Sequence, residues 1–217
     1  TFDSCISCVA DKYKDLAAQT SDNCISCEEG KYASATSAAT SCISCPVNSN
    51  RGAESGAMAN DCLALAGYTG QGSSVTACVA GKYKTSSLSA AACTNCAASK
   101  FKTQPAQTSD TCIDCPANCG SDAGSDAVDD CLGLAGYTGA ASGTSACVEG
   151  KFKATAESSA ACIDCVAGKY ASASAATSCI SCPAGKYKDQ TAQASADNCI
   201  SCVAGKYKDL AAQTSDN

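Results

Sequence analysis

The chain contains no His and no Trp, and only one Met, three Phe and four Pro in 217 residues. Without His it lacks the commonest agent of general acid–base catalysis and the commonest metal-binding nitrogen. Large aliphatic side chains are scarce too. Seven Leu, seven Ile and eight Val with the three Phe make 25 of 217 positions, about 12%, and chains below roughly 20% tend to stay disordered. Large side chains supply most buried apolar area, so no sizeable single core can form. No run approaches the ~20 apolar residues of a membrane-spanning helix. Positive charge is in deficit, with a net charge of −6 and a pI near 4.6, which argues against nucleic acid or an anionic membrane as partner. No segment places apolar residues at i, i+3, i+4 and i+7 over three turns, so almost no helix is expected. No charged-then-apolar leader opens the chain at Thr1, and a mature protein or a piece of a longer one is expected.

What the chain does have is sulfur. Twenty-one Cys occur, about one residue in ten, a density that belongs to oxidising compartments. Closing a ~15-residue loop with a cystine removes about 3 kcal/mol of unfolded-state entropy. Such bridges take the place of the missing core.

The cysteines repeat. Eight C-x-x-C pairs stand at Cys5/Cys8, Cys24/Cys27, Cys42/Cys45, Cys93/Cys96, Cys112/Cys115, Cys162/Cys165, Cys179/Cys182 and Cys199/Cys202. An aromatic follows five residues after many of the second cysteines, as at Tyr13, Tyr32, Tyr83, Phe101, Phe152, Tyr170, Tyr187 and Tyr207, and a Lys precedes each of them. A small, polar stretch then leads to the next Cys. This divides the chain into a continuous tandem array of units, roughly 5–24, 24–42, 42–62, 62–78, 78–93, 93–112, 112–131, 131–147, 147–162, 162–179, 179–199 and 199–217. The Gly-Lys-Tyr-Lys steps fit very short strands with the aromatic on the next bridge, and the polar stretches are turn-forming. The fold class expected is small disulfide-rich repeats, an elongated rod of short β-hairpin and loop units.

Two irregular units indicate which cysteines pair. Leu65 and Val75 replace the second Cys of one pair and the first Cys of the next, and Leu134 and Thr144 do the same. Residues lost jointly are most simply partners. The rule predicts Cys8–Cys24, Cys27–Cys42, Cys45–Cys62, Cys78–Cys93, Cys96–Cys112, Cys115–Cys131, Cys147–Cys162, Cys165–Cys179 and Cys182–Cys199. Cys5 and Cys202 are then unpaired or paired outside this stretch, and Cys119 is a free thiol or an intermolecular link. A longer period overlies the short one. Cys62–Gly70 returns at Cys131–Gly139, 69 residues on, and residues 8–23 match 202–217 at 15 of 16 positions, differing only at Asp11 and Gly205. The expectation is a segment of a longer periodic chain.

Competing chemistries are weaker. A zinc site would need sets of four thiolates or His, but the pairs do not break into fours. Redox C-x-x-C chemistry needs a helix N-terminus in a βαβ context, and none is visible. Asp122, Asp126, Asp129 and Asp130 could loosely hold Ca²⁺ but lack EF-hand spacing, and the stretch 69 residues earlier has only Glu54 and Asp61. No cofactor, no metal and no catalysis are expected. There is no Asn-x-Ser/Thr sequon, so O-linked glycans on the Ser/Thr runs are the modification expected.

Cys182-Pro183-Ala184-Gly185-Lys186-Tyr187, followed by Ser195 and Cys199, resembles the ephrin-receptor-like cysteine-rich repeat, C-P-x-G-x-Y…S-x-x-C-x-x-C. Ser195 stands one residue further from its Cys than that pattern asks. The class is similar in appearance to tumour necrosis factor receptor modules. The Ala-, Ser- and Thr-rich loops and the Cys115–Cys119 run resemble ciliate immobilisation antigens, which are lipid-anchored coat proteins, and similar repeats occur in protist and algal surface proteins including flagellar hairs. The units at Cys45 and Cys115 depart by lacking the Gly-aromatic step, and are expected to bend the array or carry lateral contacts. The resemblance implies an extracellular or cell-surface cystine repeat and says nothing of ligand. The function expected is a structural component of an extracellular fibre, coat or appendage, self-associating or continuing into further repeats. The alternative is the stalk or ligand-binding module of a surface receptor or adhesin.

Overall fold

A computed structural model describes residues 8–9, 11–15, 23–34, 39–52 and 58–215. Among the described residues there is no α-helix, and regular structure consists of two-residue antiparallel strand pairs and short 3₁₀ turns. No helix of the described residues is long and apolar enough to cross a membrane. The chain forms two compact bodies, residues 1–96 with 103–111, and residues 97–102 with 112–217. Both are built from the same repeat.

Each repeat starts with a tight turn. The residue three after the second Cys of a pair adopts a left-handed backbone, with φ of 81° at Gly30, 79° at Gly81 and 81° at Gly168. Glycine enters that region without steric cost. Where Gly is missing, Asp11, Asn48, Ser99 and Asn118 take its place at φ between 62° and 66°, and Asn and Asp tolerate that region best after Gly. The units at Cys45 and Cys115 therefore keep the repeat's geometry despite lacking its sequence, and their strands are Ser49–Asn50 and Cys119–Gly120.

The Lys-aromatic step follows the turn as the first strand, and the two residues inside the next C-x-x-C form the second. Lys31–Tyr32 pairs with Ile43–Ser44, and Lys169–Tyr170 with Ile180–Ser181. Side chains alternate along a strand, so residues three apart face opposite ways. Each C-x-x-C thus sends one sulfur back to the loop behind and the other forward. The S–S bonds close Cys8–Cys24, Cys27–Cys42, Cys45–Cys62, Cys78–Cys93, Cys115–Cys131, Cys147–Cys162, Cys165–Cys179 and Cys182–Cys199. Cys96 and Cys112 are disulfide-bonded as well. Cys119 and Cys202 are free thiols, and Cys5 lies outside the described residues.

Sulfur is what these hairpins bury. Cys62, Cys78, Cys96, Cys131, Cys147, Cys165 and Cys182 are fully enclosed, while Ile43, Ile113, Ile163 and Ile180 lie open to solvent. Among the described residues Phe101 is the buried ring, packed on Cys119 and Cys131 with Cys115 beside them.

Candidate functional site

The feature that recurs through the molecule, and the one with chemistry to examine, is the joint between successive repeats. It is made of backbone. In the joint between the loops that start at Cys165 and Cys182, Gly168 N donates to Lys188 O at 2.8 Å, Ala171 N to Gln193 O at 2.9 Å and Ala192 N to Cys165 O at 2.8 Å. One repeat later, Gly185 N donates to Lys208 O at 2.8 Å, Lys188 N to Gln213 O at 3.0 Å and Ala212 N to Cys182 O at 3.0 Å. In the first body, Lys84 N to Gln107 O at 3.0 Å and Ala106 N to Cys78 O at 2.8 Å follow the same plan. In these joints the polar stretch runs parallel alongside the previous hairpin, as the isolated bridges Tyr83↔Gln107, Phe101↔Ser125, Tyr170↔Gln193 and Tyr187↔Gln213 record.

To do this the polar stretch must turn sharply. The residue ten after the loop's first Cys is left-handed, at Ala106, Glu157, Ala175, Ala192 and Ala212, with φ between 50° and 59°. Only a residue without a side chain can face that kink closely. A Cβ on Gly136 would lie 2.3 Å from Ala175 O, and one on Gly168 would lie 2.4 Å from Ala212 O.

The second lysine of the Lys-aromatic-Lys step, which sequence reasoning passed over, is buried. Lys84, Lys102, Lys153 and Lys188 are enclosed, Lys153 to 2% exposure, whereas Lys100 and Lys151, the first lysines of their steps, keep about 40% of the side chain in water. Lys153 Nζ donates to Gly133 O at 2.8 Å and Leu134 O at 3.4 Å, and also to Tyr137 O and Ser158 O. Lys84 Nζ donates to Tyr68 O at 2.7 Å and to Ser89 O. Loss of hydration pushes both ammonium groups below the ordinary lysine value. The recurrence of Lys two residues after Lys12, Lys82, Lys100, Lys151, Lys186 and Lys206 was the available signal, but spacing alone does not say which lysine turns inward.

The corresponding position at Cys45 is Arg51, which is buried and paired with Asp11. Asp11 stands where most repeats have Gly, and it is the residue that distinguishes segment 8–23 from 202–217. The difference between near-identical copies is therefore one half of an ion pair.

The remaining candidates resolve into local structure. Cys119 is buried, with Sγ 3.2 Å from Ala141 O and 2.7 Å from Thr144 Oγ1. That enclosure leaves it 6% exposed, too little for a link to another chain in this conformation. Asp130 accepts from Asp126 N and Ala127 N, each at 3.0 Å, and Asp61 accepts from Met58 N at 2.9 Å. Both carboxylates cap short turns, while Glu54 lies outside the described residues. Among the described residues no group of three His, Cys, Asp or Glu side chains could hold a metal ion.

A family model described as tyrosine-protein kinase ephrin type A/B receptor-like matches residues 150–199, which span the turn at Gly150 and the bridges Cys165–Cys179 and Cys182–Cys199. No curated protein matches the chain. Over that stretch the chain is similar to a receptor-type cysteine-rich repeat, and its cystine density is the chemistry of an oxidising compartment.

Proposed function

We propose that the chain is a structural component of an extracellular fibre, cell-surface coat or appendage, built to continue from repeat to repeat and to associate with like chains. The observation that carries this reading is the backbone joint. Each repeat presents turn and strand groups to the next one, and most of that contact is made by backbone, with a glycine opposite a later kink and a buried Lys as its recurring side-chain requirements. Such a joint propagates without limit and leaves the exposed Ile, Val and Lys side chains to vary. Nothing in it selects a ligand. Imaging the undigested native assembly tests it, with continuous filaments or a regular coat expected and isolated particles opposing it.

The match over residues 150–199 favours a second reading, the stalk or ligand-contacting module of a surface receptor or adhesin. That reading requires discrete particles and one epitope that differs from repeat to repeat. The near-identity of segments 8–23 and 202–217 weighs against it.

A further inference from the structure

The cystines divide the chain into stretches that can lengthen under tension and stretches that cannot. A load entering at Cys24 crosses two residues to Cys27 and then passes through sulfur to Cys42, so residues 28–41 carry none of it. The same holds for each closed loop. Two residues also separate Cys42 from Cys45, Cys162 from Cys165 and Cys179 from Cys182. Two places differ. Between Cys62 and Cys78, and between Cys131 and Cys147, fifteen residues lie in the covalent path because Leu65, Val75, Leu134 and Thr144 stand where a bridge would be.

We infer that segments 63–77 and 132–146 are paired extension elements, held shut by hydrogen bonds where neighbouring repeats are held by sulfur. The two segments are identical at nine of fifteen positions, and each is closed in the same way. The hairpins Tyr68–Thr69 with Thr76–Ala77 and Tyr137–Thr138 with Ser145–Ala146 fold each segment back on itself. Gly72 N donates to Cys62 O at 2.8 Å, and Ala141 N to Cys131 O at 2.7 Å. Thr69 Oγ1 donates to Ala91 O at 2.8 Å and Thr138 Oγ1 to Ala160 O at 2.9 Å, tying each segment to the loop that follows.

The final tie is the buried lysine. Lys84 reaches into the first segment at Tyr68 O, and Lys153 into the second at Gly133, Leu134 and Tyr137 O. An ammonium with several carbonyl acceptors in a dry site is a strong clamp, yet it gives way far below the load that breaks a covalent bond and re-forms when the load is removed. A chain of closed cystine loops alone would be inextensible and brittle. One reversible segment in each body gives it slack.

The inference takes its purpose from the structural role proposed above, but it is tested apart from it, since stretching the purified chain reads these segments whatever assembly the protein occupies. The experiment is single-molecule extension of the oxidised full chain between terminal handles. Two openings are expected, each releasing sixteen Cα steps, on the order of 50 Å. Residues outside Cys8 and Cys202 add a length common to every variant, so the assignment rests on differences. The double substitution Leu65→Cys with Val75→Cys should shorten one opening by the ten Cα steps it bypasses less the span of the new cystine, about 30 Å. Leu134→Cys with Thr144→Cys, made with Cys119→Ser to keep that neighbouring thiol from intruding, should shorten the other. Lys84→Met and Lys153→Met should lower the opening force of their own segments and leave the released length unchanged. Openings of unchanged length in variants whose new cystine is verified by mass would overturn the inference. So would lengthening inside a bridged loop, or opening forces indifferent to both lysines.

Discussion

At the scale of single residues, the buried cations set the most exacting terms. Lys153 carries a charge into a site at 2% exposure and offsets that cost with carbonyl acceptors. Removing the ammonium strands those acceptors, at about 1–3 kcal/mol for the group left unsatisfied. Lys153→Met should therefore lower the melting temperature of the oxidised protein, while Lys169→Met, on a half-buried lysine of a hairpin strand, should not. The direction of the lysine shift fixes its pH behaviour. Because burial lowers the native value, the unfolded chain holds more protons than the native one between that value and the ordinary lysine value. Stability from this group thus rises with pH across that window and is level below it. A side-chain NMR titration should find the Lys153 midpoint below the ordinary lysine value, and a midpoint above it would show that the carbonyls outweigh lost hydration. Asp11→Gly restores the residue found in the near-copy at Gly205 but leaves Arg51 buried without its carboxylate. The expected loss is about 3–5 kcal/mol, read by thermal unfolding. Cys119 should react with a thiol reagent only after unfolding, and Cys202, half-buried, in the native protein, as peptide mapping of labelled sites would show.

At the scale of the element, the unit of stability is the turn, hairpin and joint taken together. A two-residue strand pair has no independent stability in water, so each hairpin depends on its cystine and on the backbone hydrogen bonds its neighbour supplies. The glycine facing the kink is where that dependence is sharpest. Gly136→Ala would set a Cβ 2.3 Å from Ala175 O and must also bear a φ of 84°. It should cost more than about 2 kcal/mol, since backbone strain and backbone displacement both enter. Gly143→Ala, with nothing within 4 Å of the new Cβ, should be tolerated. Amide exchange at Lys153 and Ala175 reads the difference, because the joint opens in the first variant alone. The short strands were legible in the sequence because a Lys-aromatic step between a turn and a C-x-x-C has room for nothing longer. The left-handed Ala106, Ala175, Ala192 and Ala212 were not, because alanine has no preference for that region and only the neighbour's carbonyls impose it.

At the scale of the whole molecule, cystine replaces the hydrophobic core. Mild reduction of the oxidised protein should therefore abolish amide protection throughout both bodies, whereas chelators should change nothing. A protein that kept its protection after its thiols were freed would require another source of stability. Apolar surface is left over, with Ile25, Ile43, Ile113, Ile163, Ile180 and Ile200 all more than 40% exposed, each opposite an aromatic residue across its hairpin. A chain that folds by sulfur has no need to bury them.

The order of cysteines, and the joint loss of partners at Leu65 with Val75 and at Leu134 with Thr144, was enough to point to a ladder of bridges and a fold without helices, because covalent pairing leaves correlated marks along a chain and short loops admit few geometries. The inward turn of Lys84 and Lys153, the pairing of Asp11 with Arg51 and the fit of glycine against a kinked alanine lay beyond it. Each of these joins residues of different repeats through space, and burial, which decides whether a charge is held by carbonyls or by water, exists only once the repeats are stacked.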